Sequence, residues 1–556
     1  MMNITPKDLA IVSNSGSSER KQWDDTTGLV LHGIGTLYSN YFDIFTQQEN
    51  FRDTWTVFIK YLETLLGWRS FEVSTSVFRV LSKVLDRVEN ADKLAVESRA
   101  EVWQLWSSQG VKLVEGVENS GNGIQETFTA YFDSFRSLYR LLESTLAASM
   151  VERALEIMEE CVLFPDAPPY FQDSDMLTPL QASIIDCIKT IRTDIPSVPS
   201  ILLKHVSSIS TIAYRDLFPA ATTTTSKPPR LPTCIALSTH CMNHLESISI
   251  THITNPEIYN TSALITVLAA LETPIGLKYD FHPPHLSSAA KRPSQWITAT
   301  NSALVILRRA LPVLTTDATF SPQIPDPIKL DIWNSIITLA GSVIRASLPP
   351  ATPTLRADES FDITAFRELR NLIIPWLGLS YLPDDTINRY IEAIFWSSRL
   401  YPFPTSEWSS ADLGSTTELL LEPRNRCSYV CIDELFALVS SAAADAAPEP
   451  EKPLLRRVAG LAEPWLIRRV GIVLARYISD QPLRGRMPQP YPQRKEMLYM
   501  LQEMMRLDSG VEGHGKKAHL RKLFGLFTRC IRVAVGDQEL LGLLAGALEV
   551  VEAGHA

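Results

Sequence analysis

A glycine-rich segment near the C-terminal end of the sequence comes closest to a nucleotide-binding motif. Residues 510 to 517 read Gly-Val-Glu-Gly-His-Gly-Lys-Lys and fit the spacing G-x-x-x-x-G-K. A phosphate-binding loop needs Ser or Thr after that lysine to hold magnesium, and the loop follows a buried strand. Here Lys517 takes the Ser or Thr position, and Glu496 to Leu507 has the apolar spacing of a helix. The segment is therefore predicted to be a turn between two helices and not a nucleotide site.

A short cluster of cysteines and histidines is the nearest approach to a metal site. Four soft ligands stand within eleven residues: Cys234, His240, Cys241 and His244. On a helix the two histidines would share a face, whereas Cys241 would point about 100° away from them. The spacing matches none of the common zinc patterns. No metal is predicted.

The familiar enzyme motifs are missing from the sequence. It contains no G-x-S-x-G nucleophile elbow, no H-E-x-x-H zinc helix and no G-x-G-x-x-G dinucleotide loop. Cys427 and Cys431 stand four apart in a helical context, where cysteine packs as a small apolar residue. We therefore predict no catalytic residue and no cofactor, and we expect a protein that is not an enzyme.

The C-terminal part of this acidic chain is basic. Residues 452 to 534 contain 17 Lys or Arg against 6 Asp or Glu, a balance of +11, within a chain whose net charge is −10. Seven arginines form a candidate contact patch: Arg456, Arg457, Arg468, Arg469, Arg484, Arg486 and Arg494. They would meet anionic lipid headgroups or an acidic partner, or else pair with acidic neighbours inside a helix stack. Nucleic acid is not predicted, because the pI is near 5.6 and no nucleic-acid-binding module is present.

The elements that position these residues are predicted to be helices throughout. Apolar residues recur every three or four positions, which is the period of one helix face. Three successive helices are marked by Trp23, Thr27, Val30, Ile34, Leu37, Tyr41 and Phe45, then by Phe51, Trp55, Phe58, Ile59, Leu62 and Leu66, then by Phe71, Val77, Leu81, Val84 and Val88. Roughly twenty helices joined by Pro-rich turns predict an all-α solenoid of antiparallel pairs, HEAT-like or armadillo-like.

Composition fits a large folded protein divided into several segments. The chain has 556 residues, of which 45% are apolar and 21% charged. It is longer than the chains that a single hydrophobic core usually organises. Its seven scattered cysteines suit a reducing compartment, and neither an N-terminal apolar region nor an uncharged span of about 20 apolar residues is found. We expect a disordered N-terminus at 1–20, helical repeats at 21–218 and 219–441, an acidic hinge at 442–453 and a basic helical segment at 454–556. Pro-rich insertions are predicted at 219–232, 282–293, 315–327 and 347–359.

Two parts of the chain resemble the C-terminal region of the Mon-two family, named from monensin sensitivity. The first part runs from Gln22-Trp23-Asp24-Asp25-Thr26 through Phe51-Arg52-Asp53-Thr54-Trp55 to Val77-Phe78-Arg79-Val80-Leu81. The second runs from Arg426-Cys427 through Tyr477-Ile478-Ser479-Asp480 and Leu483-Arg484-Gly485-Arg486-Met487-Pro488 to Arg494-Lys495-Glu496-Met497. The resemblance is strongest over residues 20–110 and 420–510.

The resemblance implies a cytoplasmic helical-repeat scaffold, peripheral on the trans-Golgi network and endosomes. The family acts in endosome-to-Golgi retrieval and in vacuolar or lysosomal protein sorting, alongside a Dopey-family protein and an aminophospholipid flippase. Its members are related to the large Arf guanine-nucleotide exchange factors but lack their catalytic exchange domain. The N-terminal modules of the family that contact an Arf-like GTPase have no counterpart in this sequence.

Two functions follow as hypotheses. The first is a non-enzymatic trafficking scaffold, since long helical stacks offer extended contact surfaces. The second is an Arf-family exchange factor or its regulatory fragment, which would share the helical architecture.

Overall fold

The structure is a computed structural model that describes most of the chain. The described residues are 17–87, 94–113, 121–143, 145–162, 176–215, 234–278, 294–318, 320–344, 356–400, 425–449, 451–511, 515, 517–534 and 536–553. They divide into two compact units, Met1–Ala270 and Leu271–Ala556, which we call unit 1 and unit 2. The predicted segment boundaries at 218 and 441 fall inside these units.

The secondary structure is helical in both units, which confirms the predicted fold class. Unit 1 contains α1 (Ser17–Thr46), α2 (Phe51–Leu66), α3 (Phe71–Leu85), α4 (Val96–Ser107), α5 (Gly121–Leu142), α6 (Ala148–Val162), α7 (Pro179–Thr190), α8 (Val198–Ser210), α9 (Ile212–Arg215), α10 (Ile235–Thr251) and α11 (Pro256–Asn260). Helix α12 (Ala263–Gly276) spans the boundary. Unit 2 contains α13 (Gln295–Thr315), α14 (Asp326–Ile344), α15 (Arg356–Ile373), α16 (Asp384–Ser397), α17 (Asn425–Val439), α18 (Ser441–Ala446), α19 (Lys452–Arg484), α20 (Tyr491–Arg506), α21 (Ala518–Val533) and α22 (Gln538–Ala553). In the part of the chain that the structure describes, the only β pairing is an isolated bridge between Ser440 and Ser509.

The helices of unit 1 stack in two layers. One layer runs α1, α3, α5 and α7, and the other runs α2, α4, α6, α8 and α10, so each helix packs on the helix after next. This pattern is that of helical repeats, in which each repeat contacts its neighbours. Polar contacts also join successive helices of a layer: the hydroxyls of Thr75 on α3 and Thr127 on α5 lie 2.8 Å apart in the core.

Unit 2 follows the same rule around its longest helix. Helices α14 and α16 pack together, as do α13 and α15, and α19 contacts α16, α17, α18, α20 and α21. Its C-terminal helices continue the stack, because α20 and α21 both pack on α22. The basic residues of 452–534 therefore lie on helices that are packed into the stack.

Local sequence explains where individual helices begin. Thr178 caps α7 by accepting a hydrogen bond from the Gln181 backbone N–H at 3.1 Å, and the Gln181 side chain accepts one from the Thr178 backbone N–H. Pro179 occupies the first helical position, where a missing N–H costs nothing. Ser70 caps α3 in the same way through the Val73 N–H.

The predicted linkers have mixed outcomes. Residues 219–232 and 282–293 lie outside the described residues, as do 1–16 and 347–355. The last four residues of the predicted insertion at 347–359 are helical and begin α15. Residues 315–327 connect α13 to α14 through a short 3₁₀ turn, Ser321–Gln323. The predicted hinge at 442–453 contains most of α18 and the first residues of α19.

One helix in the described ranges has the length and hydropathy of a membrane span. This helix is α13, and 56% of its most apolar window is buried inside the protein. Its two adjacent arginines, Arg308 and Arg309, are exposed. The core helix of a packed stack meets the same criteria of length and composition.

Candidate interaction surfaces

The seven arginines of the predicted patch do not form one exposed surface. Arg469 is completely buried, so its assignment to a contact patch was wrong. Its Nη2 pairs with Glu496 Oε1, and its Nε donates to Ser398 Oγ at 2.9 Å. Burial disfavours a charged group, and it lowers the pKa of Arg469 against the opposing effect of Glu496. This arginine holds α19 to α20.

A second arginine completes that buried group. Arg476 Nη1 lies 3.4 Å from Glu496 Oε2, with 7% of the arginine side chain exposed and none of the glutamate. One buried carboxylate thus pairs with two guanidinium groups, which makes Glu496 the central residue of this buried triad. Such a group needs all its partners, because a buried charge without them is costly.

Arg457 has a structural role at the start of α19. Its guanidinium donates to the carbonyl oxygens of Leu379 at 2.8 Å and Leu382 at 2.7 Å. It also pairs with Asp384 at 2.6 Å. These bonds attach α19 to the turn that precedes α16.

Three more arginines of the predicted patch have partners within unit 2. Arg494 lies 2.8 Å from both Asp537 and Glu539, and these carboxylates raise its pKa above the usual value. Arg484 pairs with Asp480 one turn earlier on the same helix. The Arg468 guanidinium lies over the rings of Phe395 and Trp465, at 5.3 and 5.6 Å from their centroids. These contacts agree with the alternative that the arginines pair inside the stack.

Arg456 and Arg486 are the two remaining members. Arg456 is half-buried near the start of α19. Arg486 is exposed in the turn between α19 and α20, and it has no ion pair or hydrogen-bond partner in the described ranges. Of the seven arginines, Arg486 is therefore the one whose charge faces solvent freely.

The glycine-rich segment contributes a lysine to a helix end. Lys517 Nζ donates to the carbonyl oxygens of Met505 at 2.6 Å and Leu507 at 2.7 Å, and it lies 3.1 Å from Asp508. A cation at these last carbonyls of α20 satisfies acceptors that the helix leaves unpaired. Residues 512–514 and 516 lie outside the described residues.

The cysteine and histidine cluster is spread over the start of α10. Cys241 is buried, which raises the pKa of its thiol to about 12, and burial lowers the pKa of His244. Cys234 precedes the helix and accepts a hydrogen bond from Gln181 Nε2 at 3.4 Å. In the described ranges no three His, Cys, Asp or Glu side chains are grouped so that they could hold a metal ion. Cys427 and Cys431 are buried on α17, as predicted.

Helix α1 carries most of the exposed large apolar side chains in the described part of unit 1. The helix packs on α3, and its buried residues include Leu31 and Phe42, whose ring lies against Phe51 and Trp55 of α2. Gly35 allows the close approach, since a Cβ there would lie 3.0 Å from Val80 Cγ1. Beside these buried residues runs a second apolar stripe, which we call the outer seam: Trp23, Val30, Leu37, Tyr41 and Ile44, each 50–56% exposed.

The outer seam has the spacing of a helix-pairing surface. Trp23, Val30, Leu37 and Ile44 recur at seven-residue intervals, and Tyr41 adds the intermediate position. The helix is kinked at Tyr41, whose φ of −121° and ψ of 20° are not helical, so the regular part of the stripe runs from Trp23 to Leu37 and is about 21 Å long at a rise of about 1.5 Å per residue. The uncharged residues Thr26, Gly33 and Asn40 lie beside it, so no charged residue interrupts this part of the helix surface. An apolar stripe of this kind is typical of a surface that another helix covers.

Stacked helix pairs with an exposed apolar stripe on α1 define an all-α helical-repeat protein. No family model matches the chain. Protein MON2 of Saccharomyces cerevisiae is 21% identical over 542 residues, which cover 89% of this chain and 31% of that protein. A MON2 homolog of Caenorhabditis briggsae is 20% identical, over 98% of this chain and 35% of its own length. The human MON2 homolog is 22% identical over 45% of this chain and 13% of its own length.

The similarity to these relatives, which in most of them extends over about nine tenths of this chain or more, supports membership of the MON2 family. It spans about a third of the length of the yeast and Caenorhabditis briggsae relatives that it matches. None of the relatives' names denotes an enzyme.

Proposed function

We propose that this chain is a non-enzymatic scaffold in endosome-to-Golgi and vacuolar or lysosomal protein trafficking. It acts through protein contacts, peripherally on the membranes of the trans-Golgi network and endosomes. The observation that carries the proposal is the outer seam of α1, and membership of the MON2 family supports it. A Dopey-family protein and an aminophospholipid flippase are the proposed partners.

The seam favours a helical partner. Its apolar positions follow the heptad spacing with which one helix packs against another. Helix α1 packs on α3 and leaves these apolar side chains at its surface, where a partner helix could cover them. Because the stripe carries no charge, its occupant is an amphipathic helix whose apolar face lies on the seam, as in helix-in-groove recognition.

Capture of the partners tests this role. The variant Val30→Gln, Leu37→Gln, Ile44→Gln, introduced at the chromosomal gene, replaces three seam residues that are 50–56% exposed. We expect co-purification of the Dopey-family protein to fall by about tenfold or more, since each lost apolar anchor weakens binding by about 1 kcal/mol. Lys21→Ser with His32→Ser is the matched control on the same helix, and it should leave capture unchanged.

Equal capture by the seam variant and the parent, at equal thermal stability, would remove the seam from the scaffold role.

The alternative function is that of an Arf-family exchange factor or its regulatory fragment. Release of GDP from Arf and Arf-like GTPases separates the two functions, because a scaffold leaves the rate at its spontaneous value. Accelerated release by the purified chain would overturn the non-enzymatic proposal.

A further inference from the structure

The turn between α19 and α20, together with the helix ends on either side of it, exposes an unusual set of apolar side chains. Leu483 is 88% exposed, Tyr491 is 74% exposed and Met487 is 72% exposed. They are three of the four most exposed large apolar side chains in the described residues, and they lie within nine positions of one another. Side chains this exposed contribute almost nothing to the core, so stability does not explain their presence.

Hydrogen bonds from a buried side chain order the turn. Gln481 is 4% exposed, and its Nε2 donates to the carbonyl oxygens of Gly485 and Met487, both at 3.0 Å. Gly485 adopts φ +62°, a conformation that favours glycine. Pro482, Pro488, Pro490 and Pro492 stiffen the flanking chain. The three apolar side chains are therefore presented by an ordered turn.

The sequence of the turn and its flanks is basic. Residues 481–495 contain four basic residues and no acidic residue. Arg484 pairs with Asp480, and Arg494 pairs with Asp537 and Glu539 beside the turn. The exposed cations that remain are Arg486 and Lys495. Exposed apolar side chains with exposed cations beside them match the chemistry of a membrane surface, which offers an apolar interior under anionic headgroups.

We propose that this turn inserts into the interface of an anionic lipid bilayer. Leu483, Met487 and Tyr491 enter the boundary between headgroups and acyl chains, while Arg486 contacts lipid phosphate. Protrusion of the side chains favours a bilayer over a protein groove as the occupant, because a bilayer accepts a convex element without a preformed pocket. This membrane site does not depend on the trafficking role proposed above.

Vesicle sedimentation is the main test. The full chain is incubated with phosphatidylcholine vesicles that contain or lack phosphatidylserine. Leu483→Ser, Met487→Ser, Tyr491→Ser should lower the fraction bound to the anionic vesicles by about tenfold or more, because the apolar area available for insertion is lost. Leu29→Ser with Met176→Ser is the control, since these residues are 74% and 67% exposed in unit 1. The control should bind as the parent does.

Two further variants separate insertion from simple attraction. Arg486→Gln should reduce binding to anionic vesicles by about fivefold, an effect that shrinks as salt rises because exposed charges are screened. Gln481→Leu keeps the three apolar side chains but removes the bonds that order the turn, and it should weaken binding to a smaller extent. If these two variants lose only the membrane contact, their melting temperatures should equal that of the parent protein.

A fluorescent label reports insertion directly. Met487→Cys, labelled with an environment-sensitive dye, should shift its emission to shorter wavelength on anionic vesicles, whereas a label at Phe524→Cys should not. Six of the native cysteines are buried and Cys234 is partly buried, so the new thiol reacts first. Failure of the parent to sediment with anionic vesicles, or equal binding by the triple serine variant, overturns the proposal. Unchanged vesicle binding with loss of a cross-linked protein would assign the turn to a protein partner instead.

Discussion

Replacing Glu496 with Gln lowers the free energy of unfolding of unit 2 by about 3–5 kcal/mol. The substitution keeps the size of the side chain but removes the one negative charge that Arg469 and Arg476 share in the core. Both guanidinium groups then stay buried beside a neutral amide, and burial of unbalanced charge is expensive. Urea denaturation followed by far-ultraviolet circular dichroism measures the loss, and amide hydrogen exchange assigns it to α19 and α20.

The control for this change lies on the same helix. Glu503 pairs with Arg506 at 2.8 Å, and the arginine is 73% exposed. Glu503→Gln should cost less than about 1 kcal/mol, because water screens an exposed pair. Equal destabilisation by the two substitutions would show that the buried triad contributes no more than a surface ion pair.

Replacing Trp55 with Ala lowers the stability of unit 1 by about 3–5 kcal/mol, the cost of truncating a large buried aromatic residue. Trp55 is fully buried. The rings of Phe51 and Phe58 lie 5.9 and 5.8 Å from its own, centroid to centroid, and its Nε1 donates to the Ser98 carbonyl at 3.4 Å. The substitution therefore removes packing from α2 together with a contact to α4. Urea denaturation measures the change.

Trp23→Ala provides the comparison, since Trp23 lies on the outer seam and is 50% exposed. It should cost less than half as much stability as Trp55→Ala, because half of the side chain is already in water. If the order were reversed, the assignment of the two tryptophans to core and surface would be wrong.

The apolar period was enough to place the helices and most of the core. The pattern from Phe51 to Leu66 predicted α2, and every residue it marked except Phe51 is buried. The pattern beginning at Phe71 predicted α3 equally well, although Val88 lies outside the described residues. These helices are amphipathic, so the periodic stripe and the buried face coincide.

The same reasoning located α1 but did not identify its buried face. The stripe through Trp23, Val30, Leu37 and Tyr41 is half exposed, whereas Leu31 and Phe42 on the neighbouring face are buried. Two apolar faces lie side by side on this helix, and periodicity alone does not decide which of them the fold covers. The uncharged seven-residue repeat from Trp23 to Ile44 was the signal that could have marked a second surface.

The arginines of the predicted patch show what charge composition alone could not predict. Composition correctly marked residues 452–534 as basic, but the burial of Arg469 depends on Glu496, which lies 27 residues later on another helix. Pairings of that kind are set by how helices stack, and neither local charge nor helical period encodes them. Of the seven arginines, only Arg486 kept the free exposure that a contact patch requires.

Retrieval of a sorting receptor from endosomes to the Golgi tests the scaffold role most directly. The measurement compares cells that carry the outer-seam variant Val30→Gln, Leu37→Gln, Ile44→Gln at the chromosomal gene with cells that carry Lys21→Ser and His32→Ser. If the chain is a trafficking scaffold that works through the seam, the receptor accumulates in endosomes of the first cells and returns normally in the second, at equal protein levels. Normal retrieval in the cells with the seam variant would contradict that role.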